Sequence, residues 1–130
     1  IGSMAVKRNL LAGGQIVRLT RYVPFGKALE LLMLGDHISA QEAERIGIVN
    51  AVVPQAELLD TAFAWAERIC RNGPLAVRAT KEVPSRALEL PFREALRLEG
   101  EFYNKMLETE DVVEGHRAFQ ERREPVWKLR

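Results

Sequence analysis

The residue types that most often carry catalysis are scarce in this chain and far apart. It has one cysteine, Cys70, and two histidines, His37 and His116, and no two of them are close in sequence. Cys70 falls on an apolar helical stripe, so we expect a buried small hydrophobic side chain rather than a nucleophile. A metal site needs cysteines, histidines and carboxylates at ligand spacing, and the sequence predicts none.

The Gly13-Gly14 pair precedes a short helix-like stretch and could present backbone amides to an anion. No Lys-Ser or Lys-Thr follows the pair, and no GxGxxG pattern surrounds it. A plain turn is therefore favoured over a phosphate-binding loop.

Carboxylates are plentiful, but nearly all lie three or four residues from a cation or in the first turn of a helix, as in the pairs Glu82/Arg86 and Arg117/Glu121. This spacing places both charges on one solvated helix face, which keeps the carboxylate ionised. A tuned general acid needs the opposite environment, so the residues themselves predict no catalytic centre.

Charge and composition argue against several classes of function. Nineteen basic and eighteen acidic residues are interleaved, which disfavours a nucleic-acid-binding surface. The longest apolar run, residues 28–34, is interrupted by Glu30 and is too short to cross a membrane. No leader resembles a signal peptide, and a lone cysteine fits the reducing cytoplasm, where we expect this protein. Ile1-Gly2-Ser3 resembles a cloning remnant and is set aside from the predicted fold.

The elements that must position any chemistry are mostly helical. Pro24 opens an apolar helix that Gly35 ends, and Ser39 with Glu42 forms a capping box for a short helix. The β-branched residues 48–53 make the one convincing strand. One strand cannot make a sheet, so the chain is either an all-helical domain or part of something larger.

Four further helices are predicted after residue 56. The first ends at Asn72-Gly73. Pro74 starts the second, which continues through residues 75–90, and Pro84 inside it predicts a kink or break near Val83. Pro91 opens the third, and Thr109 is the predicted N-cap of the fourth, which ends before residue 125.

Several landmarks follow one another in a distinctive order: residues 28–36 (ALELLMLGD), 38–43 (ISAQEA), 47–50 (GIVN), 52–54 (VVP), 73–77 (GPLAV), 79–81 (ATK), 109–111 (TED), 114–115 (EG) and 118–123 (AFQERR). Together they resemble the enoyl-CoA hydratase/isomerase (crotonase) family. The resemblance covers nearly the whole chain but only the C-terminal half of the family's length.

This resemblance implies a mainly α structure: the helical C-terminal portion of a crotonase-like (ClpP/crotonase) fold with at most one short strand. Residues 1–3 would be the remnant, residues 4–23 the end of the crotonase core, and residues 24–130 the helical C-terminal and oligomerisation region. Family members often form trimers, so we expect a homo-oligomer, with full-length crotonase homologues as possible partners. Alone, this half should leave apolar faces exposed.

The family hydrates a 2-enoyl thioester of coenzyme A or moves its double bond through an enolate. That chemistry needs two backbone amides for the thioester oxyanion and, in hydratases, two glutamates. The resemblance places the amides and the first glutamate in the preceding half, and Ala5 falls where the second glutamate belongs. The Gly13-Gly14 loop is also one residue short of the usual form. No catalytic residue can be carried over.

The resemblance does imply residues that contact coenzyme A. Tyr103, or Phe102, matches the family's adenine-stacking aromatic, and Arg122 matches its basic phosphate contact. The alternatives are packing for Tyr103 and a solvated charge for Arg122, and no tightly bound cofactor is expected.

Three hypotheses remain open. The chain is a truncated enoyl-CoA hydratase/isomerase homologue of acyl-CoA metabolism that is inert alone, a non-enzymatic helical module for oligomerisation or docking, or an unrelated small helical regulator.

Overall fold

The computed structural model describes all 130 residues. It contains seven α-helices and no β-strand, which confirms the prediction of a mainly α fold. The chain forms two compact units, residues 1–58 and 59–130. The helices are α1 (Gln15–Tyr22), α2 (Phe25–Leu34), α3 (Ala40–Arg45), α4 (Leu58–Cys70), α5 (Pro74–Ala87), α6 (Phe92–Leu107) and α7 (Glu110–Glu121).

The first unit has a small core built on α2. Val23, Ala28, Leu31 and Ile46 are buried together, because the apolar side of α2 packs against the residues that end α1 and α3. Gly35 ends α2 with a φ of 65°, a left-handed conformation that glycine adopts without strain. The predicted helix end is confirmed.

The capping box at the start of α3 forms only in part. The Ser39 hydroxyl accepts the amide of Glu42 at 3.0 Å, as predicted. The Glu42 carboxylate instead accepts two bonds of 2.6 Å from Arg45 and lies 3.3 Å from Lys27. The Lys27 contact connects α3 to α2. The bonds from both cations lower the pKa of Glu42 to about 2, with the Arg45 bond as the largest cause.

Residues 48–53 do not form the predicted strand. The amides of Ile48 and Val49 turn back to the Ala43 carbonyl at 2.8 and 3.4 Å, and the Val52 amide bonds the Glu44 carboxylate at 3.2 Å. A strand needs a neighbour to take its backbone groups, and here α3 takes three of those amides instead. The β-branched pattern alone gave the wrong element.

The first residues take part in the fold of their unit. Ile38 donates its amide to the Ile1 carbonyl at 2.8 Å, and Gly2 forms an isolated antiparallel bridge with His37. A side chain at Gly2 would meet the Asp36 carbonyl at 2.9 Å, so only glycine fits this close approach. The origin of residues 1–3 and the division predicted at residues 23–24 stay predictions.

Helix α5 runs unbroken through Pro84 to Ala87, so the predicted break is absent. Proline removes one amide donor from the helix, but here it lies in the last turns, where few bonds depend on it. Ser85 also donates its hydroxyl to the Lys81 carbonyl at 2.8 Å, which supplies a donor to the same turn.

Helix α4 exposes its apolar stripe. None of its residues is buried, and Leu59, Phe63 and Ile69 are each more than half exposed. Cys70 at its end is exposed as well, so the expectation of a buried thiol is wrong. The sequence identified the apolar stripe correctly, but its cover is not within this chain.

The accessible surface as a whole is unusually large. The chain exposes 10447 Å², whereas two independently folded domains with the masses of the two units would together expose on the order of 8,400 Å². Each side of a standard protein interface buries roughly 800 Å². The excess is therefore greater than one such surface. The exposed side chains include large apolar ones such as Leu59, Phe63 and Phe119, which confirms the expectation of exposed apolar faces.

Candidate functional site

The C-terminal end of α7 carries the candidate phosphate contact. Thr109 caps the start of this helix by accepting the Val112 amide at 3.3 Å, as predicted. Arg122 ends the helix with φ 53° and ψ 41°, and its amide donates to Ala118 and Phe119. Its guanidinium takes part in none of the ion pairs or side-chain hydrogen bonds of the chain, in contrast to the neighbouring Arg123. A cation without a partner at an exposed turn is available to an anionic ligand.

Arg123 is fully engaged. Its guanidinium binds Glu114 with two bonds of 2.6 and 2.9 Å, and its Nε donates to Glu121 at 2.6 Å. Glu114 also accepts the Val126 amide at 2.9 Å. These bonds, with the Arg123 ion pair as the largest cause, lower the pKa of Glu114 to about 2. The paired charges fix the chain reversal on either side of Arg122.

Phe119 lies one helical turn before Arg122 and was not among the predicted site residues. Its ring is 87% exposed, the largest exposure of any apolar side chain here. Phe119 lies in the last turn of α7 and Arg122 directly follows the helix, so the ring and the guanidinium lie near the same helix end. The sequence signal for this pair is that Phe119 precedes Arg122 by three residues. The helical periodicity of residues 112–119 predicted a packing role for Phe119 instead.

The predicted aromatic, Tyr103, lies on α6 and is 64% exposed. It borders a groove of about 270 Å³ between α5 and α6. Phe102, the fallback candidate, is half-buried, and its ring centre lies 5.8 Å from both the Arg86 guanidinium and the Lys105 ammonium. Phe102 is therefore already engaged by two cations, whereas Tyr103 remains accessible.

A larger apolar cavity of about 530 Å³ lies beside α7, lined by Leu75, Met106, Phe119 and Trp127 among others. Asp111 at its edge is buried, and its two carboxylate oxygens accept the amides of Lys128 and Leu129 at 2.7 and 2.9 Å. A carboxylate held in this way stabilises the tail and is not positioned as an acid or base.

The tail after α7 is attached to the same cavity through Trp127. Its indole Nε1 donates to the Arg71 carbonyl at 3.1 Å. The ring lies against Gly73 and Gly115, where an added Cβ would approach it to 3.5 and 3.4 Å. His116 is exposed and shares a 2.7 Å hydrogen bond through Nδ1 with the Val112 carbonyl.

The first unit contains the position expected for a catalytic glutamate. Ala5 begins a single 3₁₀ turn, Val6–Arg8, and its carbonyl accepts the amides of Arg8 and Leu10 at 2.9 and 3.1 Å. Gly14, with a φ of 74°, precedes α1 as a turn residue. A cavity of about 330 Å³ beside this loop is lined by no carboxylate, histidine or cysteine. None of the carboxylates or imidazoles that usually serve as general acids or bases therefore borders this cavity.

No three histidines, cysteines or carboxylates lie close enough together to hold a metal ion. None of the helices combines the length and the apolar character that crossing a bilayer requires.

Comparison with known proteins assigns the fold and the family. The family model of enoyl-CoA hydratase/isomerase matches residues 10–130. An enoyl-CoA hydratase of Bacillus anthracis has a similar structure, with a TM-score of 0.92 and 38% identity, over 98% of this chain and 50% of its own. An enoyl-CoA hydratase/isomerase of Mycobacterium paratuberculosis gives a TM-score of 0.89 and 37% identity, over 99% of this chain and 52% of its own. These helices are thus the C-terminal part of a crotonase fold.

The chain belongs to the enoyl-CoA hydratase/isomerase family. Among curated relatives, the carnitinyl-CoA dehydratase of Escherichia coli K12 is 42% identical over 121 residues, which cover 90% of this chain and 46% of that protein. The chain therefore spans about half the length of the curated relatives it matches.

Proposed function

We propose that this chain supplies a coenzyme A contact surface to acyl-CoA chemistry of the enoyl-CoA hydratase/isomerase type and is catalytically inert by itself. The observation that supports this most directly is the end of α7, where an 87% exposed aromatic ring precedes an unpaired guanidinium by one turn. A flat ring can stack on a nucleobase, and a guanidinium can bind the neighbouring phosphate.

Family resemblance and the geometry of the structure favour different aromatic residues as the ring that stacks on the base. Resemblance favours Tyr103, on another helix, whereas geometry favours Phe119, on the same helix end as Arg122. We propose that Arg122 binds a coenzyme A phosphate and that Phe119 provides the stacking surface, with Tyr103 as the competing candidate.

Inertness follows from the groups that acyl-CoA chemistry requires. A thioester oxyanion needs fixed backbone donors, and hydration needs carboxylates to activate water and return a proton. At the expected second glutamate this chain carries the methyl group of Ala5, and no free carboxylate borders either large cavity. Binding and chemistry are thus separable in this protein.

Isothermal titration of the purified chain with coenzyme A and with pantetheine, which lacks the nucleotide, tests the contact surface. Phe119→Ala should weaken coenzyme A binding by about 1–3 kcal/mol, the usual contribution of one stacked base. Arg122→Ala should weaken it by about 1.5 kcal/mol, the low end for a bond to a charged group. Pantetheine binding should change with neither substitution.

Two further variants complete the titration. Phe92→Ala removes another strongly exposed ring, 76% accessible, from the start of α6 and should leave the affinity unchanged. A loss confined to Tyr103→Ala would transfer the stacking role to α6. Coenzyme A binding that survives Phe119→Ala, Tyr103→Ala and Arg122→Ala in combination would refute the proposed surface.

Enoyl-CoA hydration, followed by absorbance of the conjugated thioester, tests inertness. The chain should show no activity, and Ala5→Glu alone should not create any, because the oxyanion donors are not part of it. Fusing the chain to the preceding half of E. coli carnitinyl-CoA dehydratase gives a full-length background. There, Ala5→Glu should raise hydration about 10²–10⁴-fold, the range of general acid–base catalysis. Hydration by the unmodified chain alone would overturn the proposal.

The exposed stripe of α4 favours a second candidate function, a homo-oligomeric assembly or docking module. Leu59 and Phe63 are 67% and 64% exposed, and surfaces of this kind are usually covered by another subunit. Light scattering at high concentration should give a mass above one chain, and Phe63→Asp should reduce it. A monomer at all concentrations would exclude assembly by this chain alone. We also propose a cytoplasmic location, in line with the lone cysteine, which cell fractionation can test.

A further inference from the structure

The turn at Arg122 is conformationally unfavourable for the residue that occupies it. With φ 53°, Arg122 is one of only three non-glycine residues in the left-handed region. Side chains with a Cβ avoid this region, so such a residue persists only where its surroundings hold it. Since Arg122 itself has no side-chain partner, the restraint must come from its neighbours.

The restraint is the Arg123–Glu114 pair. Glu114 lies on the inner part of α7, with its side chain only 18% exposed, and binds the Arg123 guanidinium through both carboxylate oxygens. The Arg123 amide donates to the Ala118 carbonyl at 3.1 Å, and the Val126 amide donates to Glu114. The chain is thus fixed directly after Arg122 by both its backbone and its side chain.

We infer that Glu114 is a positioning residue: through Arg123 it holds Arg122 in the left-handed turn and so aims the Arg122 guanidinium at its phosphate ligand. This inference rests on the proposed coenzyme A contact of Arg122. A backbone turn that is already fixed does not have to be ordered when the ligand binds, so the pair contributes affinity without touching the ligand.

The same pair could serve stability alone, and the two roles predict different results. If the pair is purely structural, its removal should lower stability and leave the affinity of the folded chain unchanged. If it is a positioning pair, its removal should weaken binding, but only in a chain that retains Arg122. Arg122→Gly separates the two, because glycine retains the left-handed turn and removes the charge.

The experiment measures coenzyme A affinity for the wild-type chain, Glu114→Gln, Arg122→Gly and the double variant, under conditions where circular dichroism shows each to be folded. Glu114→Gln should weaken binding about three- to tenfold, because the ligand must then order the backbone at Arg122. In the Arg122→Gly background the same substitution should have no further effect. Glu110→Gln is the matched control, since Glu110 on the same helix pairs with Lys128 and Arg130 instead.

A second measurement does not depend on any ligand. In ¹⁵N relaxation of the free chain, the Arg122 amide should have an order parameter of about 0.85 in the wild type and fall below about 0.6 in Glu114→Gln. Arg123→Gln, which removes the other partner, should have the same effect.

The outcomes separate the inference from the function on which it rests. Unchanged affinity in Arg122→Gly would refute the proposed contact. Weaker binding in Arg122→Gly with no loss in Glu114→Gln, or an order parameter that Glu114→Gln leaves unchanged, would refute the positioning role alone.

Discussion

Replacing Trp127 with alanine tests how firmly the tail is part of the second unit. The indole is partly buried against the backbone of Gly73 and Gly115, and its Nε1 donates to the Arg71 carbonyl at 3.1 Å. Trp127 joins the residues after α7 to the segment before α5. Its removal should therefore weaken the folded unit as well as release the tail.

The size of the effect follows from the burial of the ring. A fully buried tryptophan costs about 3–5 kcal/mol when it is truncated to alanine. About half of that cost applies to a partly buried ring, and the lost hydrogen bond is part of it, so we expect about 2 kcal/mol. Trp127→Phe retains most of the ring contact and loses the N–H donor, so it should cost about 1 kcal/mol.

Urea unfolding followed by far-ultraviolet circular dichroism measures these differences. Phe92→Ala, an exposed ring on α6, is the matched control and should change the free energy of unfolding by less than about 0.5 kcal/mol. In a Trp65→Phe background, the fluorescence of the folded chain reports Trp127 alone, and its emission should be blue-shifted from that of the unfolded chain. A Trp127→Ala variant as stable as the wild type, or emission at the unfolded wavelength, would refute the packing described for the tail.

Three other predictions concern the ends and the interior of the helices. Gly115→Ala and Gly100→Ala should each stabilise the chain by about 0.5–1 kcal/mol in urea unfolding, because alanine favours a helix interior and a Cβ at residue 115 reaches the nearest indole carbon at an ordinary 3.4 Å. A loss at residue 115 alone would show that the indole lies closer than described. Thr109→Ala should cost about 1 kcal/mol through the lost N-cap bond to the Val112 amide, while Thr109→Ser should retain most of it. The pKa of Glu114 is about 2 in the folded chain against an ordinary 4.5, so its ion pair stabilises the fold fully above pH 4.5 and loses this effect as the pH falls towards 2. The difference in stability between wild type and Glu114→Gln should therefore shrink over that range, and a constant difference would contradict the assignment.

The parts of the fold that the sequence predicted correctly depend on short-range signals. Gly35 ends α2, Ser39 caps α3 and Thr109 caps α7, because each acts on an amide or carbonyl within a few residues of itself. Such bonds need no knowledge of the rest of the chain. The order of the helices followed from these signals and from the resemblance together.

The wrong predictions depend on what lies opposite a residue. The β-branched residues 48–53 needed a neighbouring strand, and α3 took several of their amides instead. Cys70 needed a cover for the stripe of α4, and this chain has none. Apolar periodicity indicates that a face can be buried, but it does not indicate whether the partner belongs to the same polypeptide.

The candidate site illustrates the same limit on a smaller scale. The sequence alone treated Phe119 as one more residue of the apolar face of α7, and only its exposure shows that the helix presents it to solvent beside Arg122. Tyr103 was predicted from its position in the family pattern. A difference of one residue in length changes which aromatic residue falls at that position. An apolar ring that remains solvated has given up the free energy of burial, so a ligand or another subunit that covers it gains that free energy on binding. If Phe119 forms the proposed contact, its replacement should therefore change coenzyme A affinity more than stability.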